Sequence, residues 1–219
     1  MAEAVNYNAW LARRVALVAR SGDQILDFGA GTGTFASILA QAGHSVACVE
    51  DDEELARRLR TDGFEVVASL DRIEAGTIDY VYSLNVLEHI QDDAAALAGI
   101  ARALAPGGTL LLYVPAFQVL YSSMDRKVGH FRRYRRQGLE ALAAAAGFID
   151  VRSRYADSLG FFAALAYRWI GSDSGTLDRR SVVLYDRCVF PVSRMLDRLF
   201  GRLFGKNVLL TACKPPVRG

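Results

Sequence analysis

The segment ILDFGAGTGTF, Ile25 to Phe35, places Asp27 two residues ahead of Gly29, Gly31 and Gly33, with Ala30 inside the same loop. Glycines at alternate positions let a backbone turn tightly and approach a ligand closely, with helix-start amides exposed to it. A dinucleotide, a phosphate, or an adenosine joined to another group would suit such a loop. A dinucleotide fingerprint requires G-x-G-x-x-G, and Thr34 stands where its third glycine belongs; no Gly-Lys-Ser/Thr occurs, which excludes a Walker loop. Asp27 puts a carboxylate where a cationic ligand group would need one. Glu50 ends the next apolar run, 21 residues after Gly29, where a carboxylate accepts both hydroxyls of a ribose. The competing reading of Glu50 is a solvated helix-start acid, because residues 51–54 are also acidic.

Two histidines stand where a proton might have to be taken. His89, in LEHI after an apolar run, is a candidate general base, with packing at a helix start as its competing role. His130 lies in the basic run DRKVGHFRRYRR and is either substrate-facing or an exposed loop histidine. Within and beside that run, Tyr121, Arg132, Arg133 and Tyr134 suit a clamp for an anionic substrate: a carboxylate, a phosphate or a phospholipid headgroup. The same residues also suit a nucleic-acid stripe, or a solvated helix approach with packed aromatics. Net charge is only +2, which disfavours nucleic acid. Tyr7 is a candidate to close over the ligand from a lid helix within residues 1–20.

Those residues need elements to position them. Apolar positions at helical spacing predict a helix around Trp10 to Val18. Strands are predicted at residues 24–28, 44–50, 64–70, 78–86, 109–116, 148–155 and 207–213, and helices at 34–42, 51–60, 92–104 and 137–146. A turn is predicted at APGG, 105–108. Strands alternate with helices and are continuously apolar, which marks a parallel sheet covered on both faces. One domain is predicted, with a helical insertion at 155–205 serving as a substrate cap or dimer face. Within it, SRMLDRLFGRLFG sets Leu196, Leu199, Phe200, Leu203 and Phe204 on one stripe beside Arg194, Arg198 and Arg202. Such a helix either packs on its own domain or lies on an anionic membrane surface.

Composition bounds the rest. The chain has 219 residues, 52% hydrophobic, enough for one domain with a full core. No signal leader is read, and the apolar patch Leu159 to Ile170 is short and contains Arg168, so no membrane span is expected. Three cysteines without a C-x-x-C pair and three histidines scattered along the sequence predict no disulfide framework, no metal centre and a reducing cytoplasm. Charge is uneven: residues 1–119 carry 8 Lys/Arg against 16 Asp/Glu, and residues 120–219 carry 18 against 8.

The pieces ILDFGAGTGTFASILAQAGHSVACVE, IDYVYSLNVLEHI and RALAPGGTLLLYVPA, in this order and at these separations, resemble the class I S-adenosylmethionine-dependent methyltransferases over about residues 22–155. The subgroup most similar contains small bacterial members like the ubiquinone/menaquinone C-methylases. The resemblance implies a Rossmann-like seven-stranded α/β sheet in order 3-2-1-4-5-7-6 with the last strand antiparallel. It implies S-adenosylmethionine as cofactor, with Gly29, Ala30, Gly31 and Gly33 along its methionine part and Asp27 near the amino group. Glu50 would hold the ribose, Asp51, Ser69 and Leu70 would lie by the adenine, and Asn85 and Val86 would touch the methionine end. It implies methyl transfer to a small-molecule substrate. The rival readings are a nicotinamide-dependent oxidoreductase and a non-catalytic cofactor-binding module.

Overall fold

The computed structural model describes residues 3–170 and 178–217. Residues 171–177, in the middle of the expected insertion, lie outside the described residues.

Seven strands form one sheet: β1 Gln24–Phe28, β2 Ser45–Val49, β3 Glu65–Val67, β4 Ile78–Leu84, β5 Leu104–Pro115, β6 Ile149–Ala156 and β7 Asn207–Cys213. Their order is β3-β2-β1-β4-β5-β7-β6, as the resemblance implied. β7 runs antiparallel between β5 and β6, and the remaining neighbours pair in parallel. Strand order reverses between β1 and β4, so ligands belong at the carboxyl ends of those two strands.

Helices cover both faces. On one lie α1 Val5–Ala16, α2 Thr34–Gln41 and α3 Glu53–Thr61, which bury Trp10, Leu39 and Leu59 against Tyr80, Tyr82 and Tyr113. On the other lie α4 Asp93–Ala103 and α6 Arg136–Ala145, whose Leu97, Ile100 and Leu139 join Val81, Leu110 and Leu112. A short α5, Ser123–Lys127, precedes α6. The caps follow the sequence: Asp52 accepts from Glu54 N–H and Leu55 N–H to start α3, and Asp92 accepts from Ala95 N–H to start α4.

Two elements differ from expectation. β5 begins at Leu104, directly from α4, so the predicted turn at 105–108 is part of the strand. Gly107, at φ +79, donates to Lys214 O, and Gly108 O accepts from Lys214 N–H, which holds the irregular stretch to the chain beyond β7. The predicted third strand is cut to three residues because Leu70–Arg72 turns into a 3-10 segment.

Between β6 and β7 the insertion contributes α7 Ser158–Ile170, α8 Arg179–Leu184, a π-helical turn Tyr185–Val189 and α9 Phe190–Phe200. Asp157 anchors it: its buried carboxylate accepts from Tyr185 OH, Ser193 OH and Gly160 N–H. Asp197 accepts from the backbone N–H groups of Asp157 and Ser158. The insertion is also tied to α1. Asp186 is 2% exposed and accepts from Asn6 N–H at 2.8 Å and Tyr7 N–H at 2.9 Å, satisfying the first amides of the N-terminal helix.

Candidate active site

β1 ends at Phe28 and the chain reverses through three glycines at positive φ, +81 at Gly29, +56 at Gly31 and +72 at Gly33. They do different work. A Cβ on Gly29 would collide with Val86, and one on Gly33 with Leu59; these two let β4 and α3 pack against the loop. A Cβ on Gly31 would meet nothing within 4 Å. Gly31 therefore faces open space, and its N–H donates to Glu50 Oε2 at 2.7 Å. Gly29 and Ala30 turn their amides to Val49 O.

Glu50 is 8% exposed at the end of β2, and its second oxygen accepts from Asp52 N–H at 3.1 Å. A carboxylate held by two amides keeps further lone pairs for hydroxyl donors. Asp51 is exposed beside it. Asp27 is 3% exposed and accepts from Tyr82 OH at 2.8 Å. Burial pushes its carboxyl up to about 7, the Tyr82 hydrogen bond opposes this, and the Glu50 charge adds to it. This corner thus holds two buried carboxylates, and among the described residues neither has an ion-pair partner within 4.0 Å.

Past β4, Asn85 takes φ +56, with its N–H donating to Tyr113 O at 2.7 Å. The Tyr7 hydroxyl lies against Tyr113 and Asn85, and its ring meets Tyr113 and Phe190 edge-on. α1 therefore reaches the end of β4. Burial raises the Tyr7 phenol, and Asp157 and Glu88 add to that.

Ser69 and Leu70 follow β3 as expected in the backbone, but the Leu70 side chain turns into the core. It is 8% exposed and packs toward Gly99 of α4, while Arg102 donates to Leu70 O and Ile73 O. The 3-10 turn rotates that side chain inward against α4.

The histidines are scattered in sequence but converge in space. The rings of His89 and His130 lie edge to face with centroids 4.5 Å apart. His130 Nδ1 is 2.7 Å from Asp125 Oδ1, and its Nε2 is 3.8 Å from Glu88 Oε1. Asp125 is 1% exposed and also takes Arg133 Nε at 2.8 Å and Arg133 Nη2 at 3.0 Å. Burial works against the Asp125 anion, yet the His130 and Arg133 hydrogen bonds outweigh it and hold the carboxyl well below the usual range. Glu88 is 0% exposed, among the described residues neither of its oxygens has a hydrogen-bond partner, and burial pushes it up to about 8. His89 is exposed; partial desolvation and then His130 lower its imidazolium. Glu88, His89 and His130 offer ligand atoms all within 4.8 Å of one another, against the expectation that scattered histidines exclude a cation site.

The expected anion clamp is spent internally. Arg133 pairs with Asp125 and donates to Ala116 O. Arg132 pairs with Asp93 at 2.7 Å and donates to Gln91 O. Tyr134 is 7% exposed and donates to Asp93 Oδ2 and Leu87 O. Tyr121 donates to the His130 carbonyl at 2.7 Å. Tyr121 and Arg133 thus support His130, directly and through Asp125, while Arg132 and Tyr134 are held on Asp93. Sequence reasoning missed Glu88 and Asp125. A carboxylate two residues beyond the predicted strand 78–86, and an acid five residues before a histidine in a basic run, were the signals available.

A model for a methyltransferase domain matches residues 3–153. The chain is similar to a ubiquinone biosynthesis O-methyltransferase of Xanthomonas oryzae pv. oryzae, 31% identical over 102 residues, or 42% of this chain and 43% of that protein. The alignment thus spans less than half the length of that relative. A S-adenosylmethionine-dependent methyltransferase of Archaeoglobus fulgidus shares the fold with a TM-score of 0.67 at 19% identity, covering 96% of this chain and 94% of that one. A Haemonchus contortus phosphoethanolamine N-methyltransferase, solved with S-adenosylmethionine, does so at 0.63 and 20% identity, covering 96% and 52%.

Proposed function

The chain belongs to the class I S-adenosylmethionine-dependent methyltransferase family, and from that premise we propose that it transfers a methyl group to a small-molecule acceptor, with the Asp125–His130 pair as general base. The observation that carries the cofactor half is the open face of Gly31 beside a Glu50 carboxylate held by two amides. Glu50 is placed to accept ribose hydroxyls, and Asp27 to compensate a ligand cation. A nicotinamide cofactor fits less well, because its fingerprint lacks the third glycine and the acidic corner repels a pyrophosphate.

When bound, S-adenosylmethionine supplies an electrophilic methyl group on a sulfonium. Alignment of the acceptor is then the main requirement. An acceptor that arrives protonated needs a base, and Asp125 holds Nδ1–H of His130 so that Nε2 is free to take the proton. Glu88, neutral at pH 7, adds no competing charge beside that nitrogen. The acceptor is a small molecule, as the name of the Xanthomonas relative suggests, and a reducing cytoplasm suits the free Cys48, Cys188 and Cys213.

Calorimetric titration with S-adenosylmethionine, S-adenosylhomocysteine and NAD tests the first half. The sulfur ligands bind at micromolar strength or better, and Gly31→Val and Glu50→Ala abolish it. Binding of NAD alone would overturn the reading. Dialysis against EDTA tests the second half: turnover persists if His130 is the base, whereas a loss restored by a divalent ion assigns Glu88, His89 and His130 to a cation.

A further inference from the structure

The helical stretch from Arg179 to Phe200, together with the turn that follows, is inverted relative to an ordinary surface helix. Its acids face inward: Asp186 is 2% exposed on α1, and the Asp197 side chain is 8% exposed on the start of α7. Its large apolar side chains face outward. Leu184 is 63% exposed, Val192 48%, Met195 69%, Leu199 73% and Leu203 67%. Within α9, spacings of three and four put Val192, Met195 and Leu199 on one stripe, with Leu184 on the far side of the π-helical turn and Leu203 in the turn that follows. The expected stripe of Leu196, Leu199, Phe200, Leu203 and Phe204 is thus split. Phe204 packs inward on Phe161 and Phe162, while Leu199 and Leu203 stay out.

Arginines flank the stripe. Arg187, Arg198 and Arg202 are exposed, and among the described residues none of these three has an ion-pair partner within 4.0 Å. Arg194 differs: it stacks on Trp10 at 4.3 Å and serves the interior. Near Leu184 a shallow concavity of about 380 Å³ gathers Arg179, Arg180 and Arg187 around Val183 and Cys188. A solvated partnerless face would not keep four large apolar side chains more than half exposed, with Val192 at 48% among them. Among the described residues no helix is long and apolar enough to cross a membrane, so burial by insertion across a bilayer is not available to it.

We propose that this face docks on an anionic phospholipid surface, with the apolar stripe at the acyl boundary and the flanking arginines among lipid phosphates. Charge complementarity selects this occupant over a neutral protein groove: the carboxylates are withdrawn and the guanidinium groups are displayed. The proposal stands apart from the chemistry assigned to the site. The test is flotation of the full chain with vesicles of phosphatidylcholine alone or with about one-third phosphatidylglycerol. Binding to the anionic vesicles is expected, weakening with salt and about tenfold or more weaker on the neutral ones. Leu199→Glu with Leu203→Glu, and separately Arg198→Glu with Arg202→Glu, abolish it while the melting temperature and S-adenosylhomocysteine affinity stay near wild type. Absence of anionic-vesicle binding, or binding unchanged in both double variants, overturns the proposal. So does a dimer in light scattering that the leucine variant dissociates, which assigns the stripe to a second copy of the chain.

Discussion

The corner at the ends of β1 and β2 and the corner at the end of β4 both concentrate charge, but they neutralise it differently. At the first, Glu50 is satisfied by backbone amides of Gly31 and Asp52, and Asp27 by one tyrosine. Among the described residues no cationic side chain pairs with either, which suits the cationic ligand proposed for this corner. At the second, each arginine of the basic run that turns inward meets a carboxylate of this chain: Arg133 meets Asp125 and Arg132 meets Asp93. The first corner is built to be completed from outside. The second is already complete except for one imidazole nitrogen and one buried carboxyl.

The sharpest break between the two comes from His130→Gln. Turnover should fall by about 10² to 10⁴, the usual worth of a positioned base, while S-adenosylhomocysteine affinity stays within about twofold. Glu50→Ala should give the converse, with affinity lost and residual turnover at saturating cofactor. Proportional loss of both quantities in both variants would erase the division into a binding corner and a proton corner.

Next in size is the cost of opening the complete corner. Arg133→Met leaves Asp125 1% exposed without its guanidinium partner, held by His130 and Ser122 alone, and breaking a buried pair from one side costs about 3–5 kcal/mol. Chemical denaturation reads this directly. Arg132→Met, whose side chain is 34% exposed, should cost no more than about 1 kcal/mol. Equal costs would mean that neither arginine is structural in the sense drawn here.

This contrast also explains what the sequence disclosed. The glycine loop and Glu50 were legible because the loop's conformation is written locally, in residues that tolerate positive φ and in an acid ending an apolar run. The sheet order came with the family resemblance, and the continuous apolar strands agreed with it. The ion pairs of the arginines were not legible because their partners are tertiary: Asp93 lies 39 residues before Arg132, and nothing local announces the pair. The direction of the Leu70 side chain was not legible because a single 3-10 turn redirects a side chain without changing the backbone's destination. The insertion's stripe was seen, but helical spacing alone does not say which of two apolar faces of one helix points out.

A smaller effect is set by pH. Asp27 sits at about 7 in the unliganded protein, so it is largely protonated at pH 6 and ionised at pH 8. A cationic ligand requires the anion, so S-adenosylhomocysteine affinity should fall about tenfold from pH 8 to pH 6, and Asp27→Asn should be weak and flat over that range. Stability runs the other way. A carboxyl raised in the folded state favours folding while neutral, so the unliganded chain loses stability as pH climbs from the ordinary carboxylate range through about 7. Glu88, raised to about 8, extends the loss upward. Glu88→Gln should flatten the upper part of that curve, and a melting profile unchanged by it would mean that Glu88 is already ionised with a partner.

The smallest effect separates the insertion's two faces. Phe190 is 2% exposed and meets Tyr7 and Trp10, so Phe190→Ala should cost about 3–5 kcal/mol. Leu203, 67% exposed, leaves almost nothing behind when removed; Leu203→Ser should change stability by no more than about 0.5 kcal/mol. Its phenotype should appear only against an anionic vesicle. A Leu203→Ser variant that unfolds at lower denaturant would mean that the stripe is covered within the free chain, and that the helix holds its apolar side chains for the fold and not for a surface.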